Sequence, residues 1–305
     1  MLNVFVFPGQ GTQKPGMIRL LGKELDEVRD VFKMASDISH RDVADLCTSQ
    51  PDSVLEQTEN TQICVTAMNL CFLKLLTDRG VKPDLVLGQS LGQFSAIAAS
   101  GAMSYEDTFH LVTKRAAMMA SLKDKGFLYI SLGLQLDQVQ EVVSQVPGIE
   151  IALINSETQI VLGGSKENLD TAAKLLMEKG AFKAEKAEVD HAFHTSFMKP
   201  MEKEYCDFLD SFKLQDPEYR IILNCSAQVS GSAAEIINDV KRQCCHTVLW
   251  YDSLKCLFAQ GEMRIAEVGA GKKMAGIIRN CGYKEKVYLM SDIKDFTLYT
   301  RMAGC

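Results

Sequence analysis

The sequence predicts an α/β fold, with a large domain on a parallel sheet and a smaller domain inserted into it. Three observations point that way. Val4-Phe5-Val6-Phe7 is apolar at every position, as a central strand covered by helices on both faces requires. Leu85-Val86-Leu87 is a second such run, and both lead straight into glycine loops. Between them and the C-terminal part, residues 126–190 carry strand and helix patterns in the order β-α-β-β-α-β, that of a ferredoxin-like unit. The expected division is therefore 1–125 and 191–305 for the large domain and 126–190 for the small one.

Composition sets the bounds. A chain of 305 residues that is 47% hydrophobic can bury a large core. A net charge of −6 gives no electrostatic reason to expect nucleic acid or an anionic membrane as partner. The ten cysteines are scattered, with only Cys244 and Cys245 adjacent and no Cys-x-x-Cys pair, which suits reduced, buried thiols in the cytoplasm. The first residues lack the basic and long apolar regions of a signal peptide. No stretch approaches a membrane span.

In chain order, the first strand is followed by Pro8-Gly9-Gln10-Gly11-Thr12-Gln13, a tight loop at a strand's C-terminal end, where ligands bind in open α/β sheets. It lacks a phosphate loop's Gly-Lys-Ser/Thr ending, and Lys14 replaces a third fingerprint glycine, so a nucleotide is not expected. The alternative is an ordinary glycine turn. Residues 17–75 read as helices, including 21–25, 43–46 and a long apolar helix that Gln62 opens, either buried there or as a polar helix-start residue. Lys82-Pro83-Asp84 ends that helix and starts the second strand.

That strand runs into Gly88-Gln89-Ser90-Leu91-Gly92 and then into an Ala- and Ser-rich helix. This is the pattern of a nucleophile elbow on a hydrolase-like core, where a serine on a sharp strand-to-helix turn needs glycines on either side. The turn puts Ser90 at a helix N-terminus, and the Leu91 N–H becomes a natural oxyanion donor. The alternative is a turn serine between two packing glycines. Gly101 ends the helix. Ser104 and Asp107 resemble a capping box for the next one. On it Phe109, Val112, Ala116 and Met119 form an apolar stripe, and Arg115 lies on that stripe while Lys114 points away. A buried guanidinium needs an acceptor: a substrate carboxylate, an internal Asp or Glu, or the edge to which the side chain snorkels.

Within the small domain the strands are expected at 127–132, 149–154, 159–162 and 182–189, with helices at 136–146 and 166–179 and a turn at Asn155-Ser156-Glu157-Thr158. His191-Ala192-Phe193-His194 follows where the chain returns to the large domain. Such linkers line clefts, and a histidine there is a candidate general base for Ser90 or a structural residue. Metal binding by His191 and His194 would need both on a helix, and no Glu follows His191, so no metal is expected. The remaining pattern is strand 220–224, helices 235–243 and 250–260, strand 264–268, a Gly269-Ala270-Gly271 loop that is either a strand-to-helix packing turn or a phosphate cradle, helix 272–279 and strand 286–290.

These pieces together resemble the malonyl-CoA:acyl carrier protein transacylase family, including free-standing acyltransferases that serve polyketide synthases. The resemblance rests on Gly9-Gln10-Gly11-Thr12-Gln13, Gly88-Gln89-Ser90-Leu91-Gly92, Arg115, Asn155, His191-Ala192-Phe193-His194, Gln243 with Trp250, and Glu267-Val268-Gly269. It implies Ser90 as nucleophile and His194 as its base, with oxyanion donors on Gln10 and Leu91. The Gln243 backbone carbonyl would orient the histidine in place of a triad aspartate. Arg115 would grip the malonyl carboxylate, and Gln62, Gln89, Asn155, His191 and Phe193 would surround the acyl group. The reaction implied is ping-pong transfer from malonyl-CoA to the phosphopantetheine thiol of an acyl carrier protein. No resident cofactor is expected, and the enzyme would act as a monomer.

Two departures stand out. The family has His before the serine and Glu after the second glycine, where this chain has Gln89 and Gln93. They bear on acyl selectivity and incline the reading toward polyketide rather than fatty acid synthesis. Other readings are transfer of a different acyl group, a proofreading acyl hydrolase, which Arg115 argues against, and a non-catalytic carrier-docking protein, which Ser90 and His194 argue against.

Overall fold

The computed structural model describes residues 1–189 and 191–304. Ten strands form two sheets: β1 Leu2–Phe7, β2 Leu85–Gly88, β3 Phe127–Leu132, β4 Ile149–Ile154, β5 Gln159–Gly164, β6 Lys183–Lys186, β7 Arg220–Ile222, β8 Val229–Ser230, β9 Met263–Glu267 and β10 Val287–Leu289. The larger has the order β10-β9-β1-β2-β7-β8, the smaller β4-β5-β3-β6.

β1 lies between β2 and β9 and is buried on both faces. Phe5 and Phe7 join one hydrophobic core and Val4 and Val6 the other. Its register decides where the chemistry sits: Phe7 pairs with Gly88, so the loop after β1 and the elbow after β2 leave the sheet side by side. The Gln89 N–H donates to the Phe7 carbonyl across that junction at 3.1 Å.

The elbow closes because its flanking glycines carry no side chain. A Cβ on Gly88 would stand 2.0 Å from the Gly92 carbonyl oxygen, and one on Gly92 would stand 2.2 Å from that of Phe7. Both obstacles are backbone atoms that cannot step aside. Gly88→Ala is expected to lose more than about 3 kcal/mol of stability, read from the denaturant midpoint, whereas an alanine at the unobstructed Gly276 should not.

The small sheet is antiparallel throughout. The helices Leu136–Gln145 and Lys166–Glu178 pack on one of its faces. The other face turns toward the large sheet. The chain crosses into and out of this unit at one place, where the Ala192 N–H donates to the Lys125 carbonyl. A bridge between Leu153 and Val248 ties the two units a second time.

Several expectations need correction. The large sheet is parallel as expected over five strands, and only the two-residue edge strand β8 departs, running antiparallel to β7. The 21–25 segment belongs to a 3₁₀ stretch, Met17–Val28, which Gly22 breaks with φ 53° and ψ −128°. The strand expected at 182–189 is confined to Lys183–Lys186, since beyond it the chain turns toward the linker. The strand expected at 220–224 stops at Ile222, which frees Asn224 for the elbow. The helices Lys199–Leu209 and Ile293–Ala303 were not anticipated; both are short amphipathic stripes among many charges. Among the described residues, no helix is long and apolar enough to cross a membrane.

Candidate active site

Ser90 sits on the turn between β2 and the helix Gly92–Ala99 with φ 52°, a left-handed conformation that costs a non-glycine residue about 1–3 kcal/mol. Two side chains hold its backbone there. Its N–H donates to Asn224 Oδ1 at 2.7 Å, and Asn224 Nδ2 donates to the Gly88 carbonyl at 2.8 Å. Gln243 Nε2 donates to the Ser90 carbonyl at 3.0 Å and to Gln93 Oε1 at 2.7 Å. Asp239 anchors this network, accepting from Gln93 Nε2 at 2.9 Å and from the N–H groups of Asn224, Cys225 and Ser226 at 3.0 Å each. Gln93 is thus a neutral member of a buried polar frame behind the elbow.

His194 reaches the serine from the linker. Its Nε2 lies 2.6 Å from Ser90 Oγ and its Nδ1 lies 2.7 Å from the Gln243 carbonyl oxygen. A carbonyl only accepts, so Nδ1 carries the proton and Nε2 presents its lone pair to the serine hydroxyl. His194 also has a positive φ, 64°, so both reacting residues stand on strained backbone. Burial pulls the imidazole down to about 4, the bond to Gln243 opposes that shift, and the Arg115 charge adds to it. Neutral at physiological pH, the ring is free to take a proton.

That depression has a consequence for stability. Below the ordinary histidine value of about 6.5 the unfolded chain binds a proton that the folded chain refuses until pH approaches about 4. Stability is therefore full above the unfolded value and falls as pH drops across that window, by about 3 kcal/mol. Denaturant unfolding from neutral to acid pH should show the loss in the native chain and a much smaller one in His194→Asn.

The backbone N–H groups of Gln10 and Leu91 donate to no acceptor among the described residues, although both flank the elbow. Leu91 stands at the N-terminus of the helix Gly92–Ala99, where the dipole adds to its N–H. Gly9 packs so closely that a Cβ there would meet the Gln89 carbonyl at 2.5 Å and the Leu91 nitrogen at 3.5 Å. A pair of donors beside a serine can receive a developing oxyanion.

A cavity of about 380 Å³ opens over these groups, between the large domain and the helix-free face of the small sheet. Gln10, Gln89, Ser90, Asn155, Phe193 and His194 are on its wall with apolar residues of the small sheet such as Leu128, Ile130 and Val161. Gln89 Nε2 donates to Asn155 Oδ1 at 2.6 Å and so joins the elbow to the β4–β5 turn. Leu91, Gln243, Arg115, Gln62 and His191 are buried and are not part of that wall. His191 stacks on Phe193 with ring centroids 5.1 Å apart. Neither histidine lies on a helix, and among the described residues no cluster of ligands is placed to hold a metal ion.

Arg115 is 1% exposed, yet no carboxylate among the described residues pairs with it. One terminal nitrogen donates to Gln62 Oε1 at 2.5 Å, the guanidinium stands over the Phe94 ring at 5.3 Å, and Nε has no partner. Burial lowers its proton affinity, while Tyr205 and Cys244 oppose the shift. The internal salt bridge that sequence allowed is absent here. An unneutralised buried cation beside a serine–histidine pair is what a site for an anionic acyl group needs.

Residues 4–300 match the acyl transferase domain family. The chain belongs to that family. Among curated acyl transferase relatives, the polyketide biosynthesis malonyl CoA-acyl carrier protein transacylase PksC of Bacillus subtilis is 33% identical over 90% of this chain and 95% of its own length. The polyketide biosynthesis protein ThaF of Burkholderia thailandensis is 33% identical over 91% of this chain, which spans only 24% of that much longer protein. Among solved structures, malonyl-CoA:acyl carrier protein transacylase (FabD) of Xanthomonas oryzae pv. oryzae superposes with a TM-score of 0.94 at 30% identity, covering 99% of this chain and 98% of that one. A type II PKS acyl-carrier protein in complex with its malonyl-transacylase gives 0.95 at 25%, covering 99% and 100%.

Sequence reasoning missed Asn224, Asp239 and Lys273. Asn224 had a signal, being a polar residue just past a parallel strand. Asp239 lies one helical turn before Gln243 on the buried face of Ala233–Gln243. Lys273, whose ammonium donates to the Gln10 carbonyl, had none.

Proposed function

We propose that this acyl transferase moves a malonyl group from malonyl-CoA to the phosphopantetheine thiol of an acyl carrier protein. The observation that carries the proposal is the line from the Gln243 carbonyl through His194 to Ser90 Oγ beneath an open cavity. In the first half-reaction Ser90 Oγ attacks the thioester carbon while His194 Nε2 takes its proton. The oxyanion is received by the N–H groups of Leu91 and Gln10, and collapse expels the CoA thiolate, which the imidazolium protonates. In the second, His194 takes the proton of the phosphopantetheine thiol, whose sulfur attacks the serine ester. Ser90 then departs with that proton. Malonyl is favoured over neutral acyl groups because Arg115 supplies a buried positive charge that only a carboxylate would neutralise.

Gln62 holds one edge of that guanidinium and leaves Nε free for the substrate. Gln89, Asn155, His191 and Phe193 shape the acyl site, with the first two joined as a neutral latch where the family has an imidazole. The large domain, 1–125 and 191–305, supplies the nucleophile and base, and 126–190 supplies the apolar wall. Carrier and CoA contribute the thiols, and no resident cofactor is invoked. The cysteines among the described residues are all free, which fits a cytoplasmic setting, and similarity to polyketide-associated relatives favours service to a polyketide synthase. The test isolates the second step. Malonylated enzyme freed of CoA is mixed with holo-carrier or with apo-carrier. Transfer to the holo form alone supports the proposal, and release of free malonate with both moves the assignment to a hydrolase.

A further inference from the structure

Three successive carbonyls in the loop after β1 are each held. Asn69 Nδ2 donates to Pro8 O at 3.0 Å, Thr12 Oγ1 to Gly9 O at 3.1 Å, and Lys273 Nζ to Gln10 O at 2.5 Å. The first two tethers are neutral and the third is charged. Lys273 comes from 263 positions away, at the start of the helix Lys273–Asn280. That helix start is itself fixed, because the fully buried Glu267 carboxylate accepts the N–H groups of Met274 at 3.0 Å and Ala275 at 2.9 Å. The loop also keeps room for the ammonium, since a Cβ on Gly11, whose φ is 91°, would stand 3.1 Å from Nζ.

We infer that Lys273 is a positioning residue for the oxyanion site: its ammonium fixes the Gln10–Gly11 peptide and, with Thr12 holding the Gly9 carbonyl, keeps the preceding peptide, which carries the Gln10 N–H, from turning. This rests on the acyl-transfer reading above. With the carbonyls on both sides of the Gln10 nitrogen held, that N–H keeps one direction and no reorganisation is needed when the oxyanion forms. The ammonium shares the cavity wall with Ser90, so its charge also adds to the field there. The charged and titratable groups around it are Glu267 from β9, Lys272 beside it and His194 on the same wall. Burial brings the Lys273 ammonium down to about 8, with Glu267 opposing. Once deprotonated it offers the carbonyl only a weaker, neutral hydrogen bond.

The experiment is single-turnover malonylation of Ser90, followed by quenched intact-mass spectrometry across neutral and alkaline pH. It compares the native chain with Lys273→Met and Lys273→Arg, with melting curves for each. The native rate is expected to drop to a lower plateau through a limb near pH 8. Lys273→Met should be about 10- to 100-fold slower at neutral pH with no limb and an unchanged KM for malonyl-CoA. Lys273→Arg should recover most of the rate and carry its limb to higher pH. Native-like rate and limb in Lys273→Met would overturn the inference, as would equal slowing in both variants with no limb in the native chain. A native protein that forms no Ser90 adduct would sink the transfer reading itself.

Discussion

Ser90→Ala is expected to form no acyl adduct with any CoA thioester and to lose transfer activity by about 10⁴-fold or more. The reason is specific to this geometry. His194 Nε2 has the serine oxygen as its hydrogen-bond partner, and a methyl group there leaves the ring with no proton to take. The fold should survive, because the strained turn is held through the Ser90 backbone by Asn224 and Gln243 rather than through its hydroxyl. Alanine tolerates the φ of 52° no worse than serine. An unchanged melting curve beside absent adduct formation is the paired result to look for.

Arg115→Met should separate activity from stability. The arginine is fully desolvated, and among the described residues its side chain donates to the neutral Gln62 and pairs with no carboxylate, so its burial is not repaid by an internal ion pair. Losing one partner of a buried charge pair costs about 3–5 kcal/mol, so malonyl transfer should fall by roughly a hundred- to a few-thousand-fold. Acetyl-CoA carries no carboxylate and should lose little, so the preference between the two donors inverts. Methionine retains the packing stem without the charge, and the melting temperature should hold or rise. A malonyl preference that persists in this variant would place carboxylate recognition elsewhere.

The parts of the site legible in sequence were those with a local signature. Ser90 announced itself through two glycines at fixed spacing after an apolar run, and clashes of 2.0 and 2.2 Å show why those glycines are required. Arg115 was legible as the one charge on an apolar helical stripe, although periodicity did not reveal that no carboxylate awaits it. His194 was legible only as a histidine where the chain returns to the large domain. What periodicity cannot carry is contact between distant segments. The bond from Ser90 N–H to Asn224 spans 134 positions and that from Gln93 to Asp239 spans 146. Gln93, which departs from the family pattern, could not be interpreted until its amide was seen between Asp239 and Gln243. The end of β7 was misjudged for a related reason, since Asn224 is turned to the elbow by tertiary contacts.

The most direct measurement is intact-mass spectrometry of the protein after brief exposure to malonyl-CoA, methylmalonyl-CoA and acetyl-CoA, with peptide mapping of any adduct. The expected result is a malonyl ester on Ser90 that forms faster than either alternative and is removed by holo-carrier. An acetyl ester formed preferentially, or a malonyl adduct on any residue other than Ser90, would contradict it.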